Sequence, residues 1–476
     1  MPLARIRRIQ DSVHGLMEFR DMETVVIELL RTPELRRLRD IKQMGLADHV
    51  FPGAEHSRFV HSLGAAYVAI RFGHQLREVT AEHLSPLLRP DDWSIRDLAV
   101  AALCHDIGHG PLSHQWEREV IGEDFDRAAW GDSLGVAPVD MERLKTAKWH
   151  EIVGFALLGW ESKDDAEGSL HRLLEQHEEG LSRRIQEMLL GDYYIPFLPQ
   201  LLDGDVDVDR ADFILRDARQ AGVGYGLYDL EWLISTSTVG FTEQGNRLVV
   251  GFDERKAVRV VEQFLLARRA QYDTVYQHKT IRSAEGMVAL FLRRLKHLAT
   301  DGVPLTPVPE ALRAVLTGNT LTLGQVIALD DSVVWTAVRG VASARGFDNT
   351  AVDLAQRLLS RDLFKMVACE SERLGEFREN AAREAIPEAI KAFCPGDPNY
   401  YFHFDVSELA MLSGEPKKWA YFVDSCHCAR PIHEHEALSV HQLYEGRVDG
   451  HRRVHNRTRR LFTLREARPA LEALLN

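Results

Sequence analysis

Cysteine is scarce, with five in 476 residues: Cys104, Cys369, Cys394, Cys426 and Cys428. An odd number in so long a chain argues for reduced thiols rather than a disulfide scaffold, and so for a cytoplasmic address. Cys426, His427 and Cys428 put two metal-ligand types side by side, but no second cysteine pair stands at useful spacing, which argues against a structural zinc. Long apolar runs are also missing. No stretch has membrane-spanning length, and the opening MPLARIRRIQDSVHG has basic residues without the apolar core of a signal peptide. Nor is there a positive balance: 58 Lys and Arg against 71 Asp and Glu leave a formal charge of -13. That counts against a dedicated duplex-binding protein. The local basic clusters RKAVRV (255–260) and HRRVHNRTRR (451–460) read as solvated faces, while leaving nucleic acid open as a partner. There is no internal repeat and no low-complexity tract.

What is present is ordinary for a globular chain, 45% hydrophobic and 27% charged, and the length predicts two or three domains. The fold class expected is mainly α. A hairpin is predicted in RIRRIQDSVHGLMEF around His14–Gly15, and helices in METVVIELLR and in ELRRLRDIKQMG, where Leu35, Leu38 and Ile41 recur at i, i+3 and i+6. A long helix that Ser57 would cap is predicted over 57–80. Further helices fall in DDWSIRDLAVAALCHDIGH, over 141–160, and in DRADFILRDARQAG, which Gly222 and Gly224 would stop. A second hairpin is predicted over 233–252, with its turn in GFTEQGN. Residues 300–320 read as a loop-rich junction, followed by helix to about 367. Beyond it, NYYFHFDVSE and KKWAYFVD read as strands and REARPALEALL as a terminal helix.

The densest chemistry lies in ALCHDIGHGPLSH (102–114), with three histidines, an aspartate, two glycines and a proline in thirteen positions. Apolar residues lead in as a buried helix would, and Gly108, Gly110 and Pro111 are expected to break it. Imidazole with carboxylate suits a divalent metal, and His61, the adjacent pair His105–Asp106 and Asp209 are the ligand candidates. Each residue alone is more often a satisfied buried polar pair. On the helix around Asp209, spacing makes Arg210, Phe213 and Asp217 share one face and Asp209, Asp212 and Arg216 the next.

RFVHSLG (58–64), CHDIGHGPLSH (104–114), WHE (149–151) and DVDRADFILRD (207–217), in this order on predicted helices, resemble the HD phosphohydrolase superfamily. TPELRRLRDIKQMG (32–45), FPGAEHSRFVHSLG (51–64) and VYQHK (275–279) narrow the resemblance to its deoxynucleoside triphosphate triphosphohydrolase branch. The resemblance implies an HD-domain helical core over 1–300 with small β-hairpins and a helical extension over 301–367; the mixed α/β region over 368–476 lies beyond it and is expected to be an oligomer interface rather than a second active site. It implies hydrolysis of a deoxynucleoside triphosphate to nucleoside and inorganic triphosphate. One divalent metal (Mg, Mn, Fe, Co, Ni or Zn) would sit on His61, His105, Asp106 and Asp209, with room for a second on the substrate phosphates. His109, His114 and His150 match the family's further active-site histidines, and Glu151 its accompanying acid. His114 falls on the leaving-group side, and His109 and His150 on the phosphate side. Arg58, Arg210 and Arg268 match phosphate contacts. Gln43, Met44, Phe213, Asp217, Tyr276 and Gln277 match the sugar and base pocket. A homo-oligomer, dimer or tetramer, is implied, and a nucleotide activator is allowed.

Departures from the family pattern matter. Arg210 replaces a lysine common there and Phe213 a tyrosine, which keeps cation and ring but drops a hydroxyl. One family member reads guanine in an activator site with an aspartate, where this chain has Arg31, and Arg36 stands where a glutamine is expected; Arg39 is retained. An arginine cannot accept the guanine N–H donors, so activation of that type is not expected. No further family segment is recognisable before the core. Two alternatives stand beside this reading: an HD phosphohydrolase acting on nucleoside monophosphates or other phosphoesters, and a nucleic-acid-binding regulatory protein on the same scaffold.

Overall fold

The structure is a computed structural model that describes residues 5–122, 124–161, 169–242, 247–369, 374, 384–410, 412–413, 415–435, 438, 448–449 and 452–475. Strands β1 (Ile6–Asp11) and β2 (Gly15–Arg20) pair antiparallel with Asp11 opposite Gly15. Asp11 Oδ1 accepts the backbone N–H of Val13 and His14 at 2.8 and 3.0 Å, closing the expected turn. The chain then leaves the predicted path. Residues 34–45 do not form one helix: Pro33–Arg36 is a single helical turn, Arg37–Asp40 a tighter one, and Ile41 is extended. Tertiary bonds take over from helical ones there, since Arg58 donates its N–H to the Ile41 carbonyl and Lys42 its N–H to Asp331.

Helices α1 (Arg58–Val79) and α2 (Asp92–Cys104) form the centre of the molecule. Both are buried on nearly every side, as expected of helices without a polar stripe. Asp91 caps α2, its carboxylate accepting the Ser94 N–H at 2.8 Å while Ser94 Oγ accepts the Asp91 N–H. Ser57 takes the cap position of α1 with extended backbone, but its side chain makes no cap bond. The stretch 141–160 is split into Pro138–Arg143 and α3 (Trp149–Leu158). Helix α4 (Val208–Ala221) is capped by Asp207, which accepts the Arg210 N–H at 2.8 Å, and stops at Gly222 with φ +69°.

Strands β3 (Ser237–Thr242) and β4 (Leu248–Asp253) make the second hairpin; part of its turn, 243–246, lies outside the described residues, as does residue 451 of the basic cluster at 451–460. Helices α5 (Glu254–Gln271) and α6 (Lys279–Thr300) follow. The junction expected at 300–320 contains a helix, Glu310–Leu316, because Leu312, Val315 and Leu316 recur at helical spacing and are buried. Then come α7 (Asp331–Ala342), α8 (Asn349–Ser360), β5 (Lys365–Met366), β6 (Phe402–Ala410), β7 (Tyr421–Val423), β8 (Cys428–Pro431), β9 (Arg452–Thr463) and α9 (Arg468–Leu475). Strands β5, β9 and β6 form one sheet in that order. Strands β3, β4, β7 and β8 close a small barrel, in which β3 pairs with β8 and β4 with β7 in parallel. The fold is mainly α with small β elements, and one cluster of buried apolar residues runs from Met17 to Leu475. Among the described residues, no helix is long and apolar enough to cross a membrane.

The glycines of 102–114 act differently from expectation. Helix α2 already ends at Cys104, ahead of Gly108, Gly110 and Pro111. Gly108 instead lets its loop lie flat on α3. A Cβ there would stand 2.5 Å from the Gly154 nitrogen and 2.9 Å from the His150 carbonyl carbon, both backbone atoms that cannot swing aside. Gly108→Ala should therefore lower unfolding free energy by about 2–3 kcal/mol in urea titration. Gly224→Ala, where a Cβ meets nothing within 4 Å, should stay within about 0.5 kcal/mol of the parent.

Candidate metal centre and active site

Three helices converge on one point. Helix α1 contributes His61 and Arg58, the end of α2 contributes His105 and Asp106, and α4 contributes Asp209. His61 Nε2 lies 3.0 Å from Asp209 Oδ1 and 3.8 Å from Asp106 Oδ2, and His105 Nε2 lies 3.4 Å from Asp106 Oδ1 and 3.6 Å from Asp209 Oδ1. The outer nitrogens are already engaged: His61 Nδ1 with Asp212 at 2.9 Å, and His105 Nδ1 with the Ala102 carbonyl at 2.7 Å. With Nδ1–H donated outward, each Nε2 faces the centre and offers a lone pair to a metal once its proton has left.

This set fits a divalent metal on its own chemistry. The Nε2 atoms of His61 and His105 are buried and have no hydrogen-bond partner, although carboxylate oxygens lie 3.0–3.8 Å away. Nitrogens close to carboxylates but off the hydrogen-bond direction are what an intervening cation leaves behind. Electrostatics agree. Burial pushes His61 down, but Asp209 and Asp212 outweigh it and lift it to about 10. Burial likewise opposes the charge of Asp106 and Asp209. Arg58 and His105 hold the first, and His105 and His61 the second, below the usual carboxylate range. Buried carboxylates that stay ionised need a positive partner.

Asp212 was placed beside Asp209 by helix spacing, yet its role was not legible. It accepts from His14 Nε2 at 2.6 Å and from Arg216 at 2.8 and 2.9 Å, besides holding His61. Arg216 also donates to Asp11 at the turn of the N-terminal hairpin.

A second layer stands beside the centre. Arg58 donates Nε–H to Ser113 Oγ at 2.9 Å and pairs with Asp106. The rings of His109 and His150 stack with centroids 4.0 Å apart, and His114 stands edge-on to His109 at 5.1 Å. Burial, reinforced by nearby cations, pushes His109 and His150 down to about 3, so both are neutral in the ligand-free protein. The acid beside them is Glu117, whose Oε1 lies 2.6 Å from His150 Nδ1. Glu151 does not join the cluster: it is exposed, and its carboxylate accepts the Lys148 N–H at 2.7 Å to close the start of α3. Position N3 of a helix favours this capping, a signal readable in the sequence.

The loop carrying His109 and His114 is strained and strapped. Leu112 and Ser113 both have φ +54°, which non-glycine residues rarely adopt. Asp331, at the start of α7, accepts the Leu112 N–H at 2.7 Å and the Lys42 N–H at 2.9 Å. Arg37 is buried and donates to the carbonyls of Leu329, Ile107 and His109; burial pushes its pKa down to about 10. Arg37 lies inside TPELRRLRDIKQMG without being singled out there, and Asp331 belongs to no motif.

On the remaining side, Phe213 stands edge-on to His61 at 6.4 Å and to Tyr276 at 6.5 Å. Asp217 pairs with His56 Nε2 at 2.8 Å and accepts from the Tyr276 hydroxyl. Gln43 has a buried Oε1 without a partner, and its N–H donates to the His56 carbonyl at 3.0 Å. Met44 packs with Ala47, Ala54, Val275 and Ile281 as core. Arg210 is drawn to Asp207 and the Gly204 carbonyl, and Arg268 is buried with its guanidinium 5.8 Å from the Tyr272 ring. Gln277 faces the C-terminal sheet: its side-chain oxygen accepts from Ser407 and its carbonyl from Arg460. Arg31, Arg36 and Arg39 are exposed, with Arg39 stacked 3.6 Å over Phe59.

A helical frame that gathers His61, His105, Asp106 and Asp209 around one centre defines the class: the chain is related to the HD-type phosphohydrolases. No family model matches the chain. It is 28% identical over 446 residues to the Bacillus subtilis protein YwfO, covering 93% of this chain and 86% of that protein. It is 27% identical over 411 residues to human deoxynucleoside triphosphate triphosphohydrolase SAMHD1, covering 81% of this chain and 59% of the human protein. It spans 48% of the length of the Dictyostelium discoideum SAMHD1 homolog, to which it is 29% identical. The crystal structure of a phosphohydrolase from Bacteroides thetaiotaomicron superposes with a TM-score of 0.72 at 24% identity, covering 97% of this chain and all of that one, and so shares the fold.

The loop leading into α4 carries a pH dependence. Asp205 is buried, accepts the Ser413 N–H and donates its own N–H to the Lys418 carbonyl; burial lifts its carboxyl from 3.8 to about 6. The folded state thus favours the protonated acid. Its contribution to stability is complete below the unfolded value and is lost as pH rises through about 6. Between pH 4 and pH 7 the loss should be on the order of 2–3 kcal/mol. Asp205→Asn should flatten that part of the pH–stability curve in denaturant titrations; an unchanged slope would remove Asp205 as its source.

Proposed function

We propose that the protein is a metal-dependent phosphohydrolase that converts deoxynucleoside triphosphates to deoxynucleoside and inorganic triphosphate. The observation that carries this reading is the convergence of the His61–His105–Asp106–Asp209 centre with Arg58 and the imidazole layer on one side and Phe213, Asp217 and Tyr276 on the other. That layout offers in sequence a hydrolytic centre, a polyanion side and an aromatic and carboxylate side for a sugar. The SAMHD1 relatives support the choice of substrate.

His61, His105, Asp106 and Asp209 would hold one divalent ion, which when bound supplies Lewis acidity toward water and phosphoryl oxygen. The rest of the work belongs to side chains. Arg58, beside Asp106, binds the phosphoryl oxygens nearest the centre, and Arg210 and Arg268 the outer phosphates. His114, the exposed member of the imidazole layer, delivers a proton to the departing 5′ oxygen, while His109 and His150 line the phosphate side. Binding of the polyanion favours protonation of these rings. Phe213 packs against the sugar, Asp217 accepts from a sugar hydroxyl, and Gln43, with its buried free oxygen, accepts a donor of the nucleoside. Tyr276, which donates to Asp217, closes the pocket behind them; Gln277, turned to the C-terminal sheet, and Met44, packed as core, would support that wall from outside. Residues 1–300 form the catalytic part, 301–367 a helical extension, and 368–476 the contact surface of a cytoplasmic homo-oligomer.

The test is a matched assay of four dNTPs and four NTPs with Mg, Mn and Co, separating triphosphate, pyrophosphate and phosphate. Triphosphate release from dNTPs is expected. Orthophosphate released directly from monophosphates, with no triphosphate from any dNTP, would replace this reading by the phosphomonoesterase one. His105→Ala should reduce bound metal and lower turnover by at least about 100-fold; a folded variant with undiminished metal would remove His105 from the ligand set.

A further inference from the structure

Asp217 is the carboxylate on the sugar side, and it is buried, so its direction depends on what holds it. His56 Nε2 stands 2.8 Å from Asp217 Oδ1, and the Tyr276 hydroxyl donates to Oδ2. An imidazole nitrogen facing a carboxylate carries the proton, so each Asp217 oxygen receives one donor and keeps a lone pair. His56 has little else to do in the fold. Its ring is buried, yet Nδ1 has no hydrogen-bond partner, whereas a histidine kept for packing alone would satisfy both nitrogens. Its backbone is fixed from two sides. Across the Lys42–Ser57 bridge, Gln43 donates its N–H to the His56 carbonyl at 3.0 Å and Arg58 its N–H to the Ile41 carbonyl at 2.9 Å. Asp331 in turn accepts the Lys42 N–H at 2.9 Å. Gln43 and His56 are thus opposite one another in an antiparallel pair, which puts their side chains on one face. Gln43 Oε1 is also buried and without a partner. Two such atoms beside a pinned carboxylate make a polar subsite rather than core packing.

We infer that His56 is a positioning residue for the nucleoside: it aims Asp217 at the sugar and so sets the preference for a ligand that carries a 3′ hydroxyl. This role rests on the assignment of Asp217 to the sugar. In a deoxynucleotide esterified at its 5′ oxygen, the 3′ hydroxyl is the one hydroxyl left on the sugar, and it is the donor that Asp217 meets. A carboxylate pinned on both oxygens accepts it without reorganising, whereas one released from His56 is free to turn away. An analogue lacking that hydroxyl leaves a buried acceptor unpaired, which is how a site rejects it. Arg58 lies two residues beyond His56 on the same short ladder. One segment therefore sets both ends of the ligand, the phosphate through Arg58 and the sugar through His56 and Asp217.

The experiment compares 2′-deoxynucleoside and 2′,3′-dideoxynucleoside triphosphates as substrates of the full-length protein with manganese or cobalt. The corresponding free nucleosides are compared as ligands by calorimetry. The parent should favour the 3′-hydroxyl form by at least about tenfold, in kcat/KM and in affinity. His56→Ala should shrink that ratio to about threefold or less. His56→Gln, whose amide nitrogen falls near the imidazole Nε2 and donates to Asp217, should restore most of it. General damage to the fold would slow both substrates alike and leave the ratio where it was. His56→Asn has an amide too short to reach Asp217, and it replaces His56→Ala if that variant does not fold. A parent without the preference, or a folded His56→Ala or His56→Asn protein that keeps the parent's ratio, would overturn the inference. So would a His56→Gln protein that behaves like His56→Ala. Loss of the ratio in free-nucleoside binding, without triphosphate release from any dNTP, would leave His56 standing and sink the function assigned above; triphosphate release with an unaltered ratio would do the opposite.

Discussion

Asp212 is a fully buried carboxylate that receives His14 from the N-terminal hairpin, His61 from α1 and Arg216 from its own helix. Removing a partner from such a buried charge generally costs about 3–5 kcal/mol, so the three elements must be in place together. The consequence for the metal centre is direct. His61 can aim Nε2 inward only because Asp212 holds Nδ1, and Asp212 can be buried ionised only because Arg216 and the hairpin surround it. A hairpin at the chain's edge is thereby part of the geometry of a site three helices deep.

A second frame controls the loop after α2. The backbone at Leu112 and Ser113 is strained, and strain of that kind, about 1–3 kcal/mol per residue, persists where neighbours over-determine it. Arg37 and Asp331 do so with bonds to both sides: Arg37 to Ile107 and His109, Asp331 to Leu112 and Lys42. The start of α7, some two hundred residues away in sequence, thus sets where Ser113 meets Arg58 and where His114 turns. Strands near the C-terminus reach the other side in the same manner, through Ser407 on Gln277 and the Ser413–Lys418 segment on Asp205.

Motif residues were legible because their chemistry is unusual for a buried helix. A histidine–aspartate pair ending an apolar run, a second histidine in α1 and an aspartate at the start of α4 have few structural reasons to coexist, and the structure brings all four together. Reading failed where residues are defined by partners rather than type. Glu151 follows His150 in sequence, yet an N3 carboxylate is drawn to the backbone of its own helix, and Glu117, one turn beyond His114, takes the place beside the rings. Gly108 looked like a helix stop and is a contact surface, because helix periodicity says nothing about which neighbour lies within 3 Å. Arg37 lies among several arginines, and only burial distinguishes it from exposed Arg36 and Arg39.

The sequence by itself determined which donors are available, that they ride on helices, and that Asp209 and Asp212 share a face, since helix geometry is local and periodic. Tertiary structure alone decided that Asp212 turns to His61 rather than to solvent, and that a strained loop is held by Arg37 and Asp331. It also decided that three imidazoles and Glu117 close on a common point. Those outcomes depend on desolvation and on contacts between distant segments, and no local pattern encodes the distance between them.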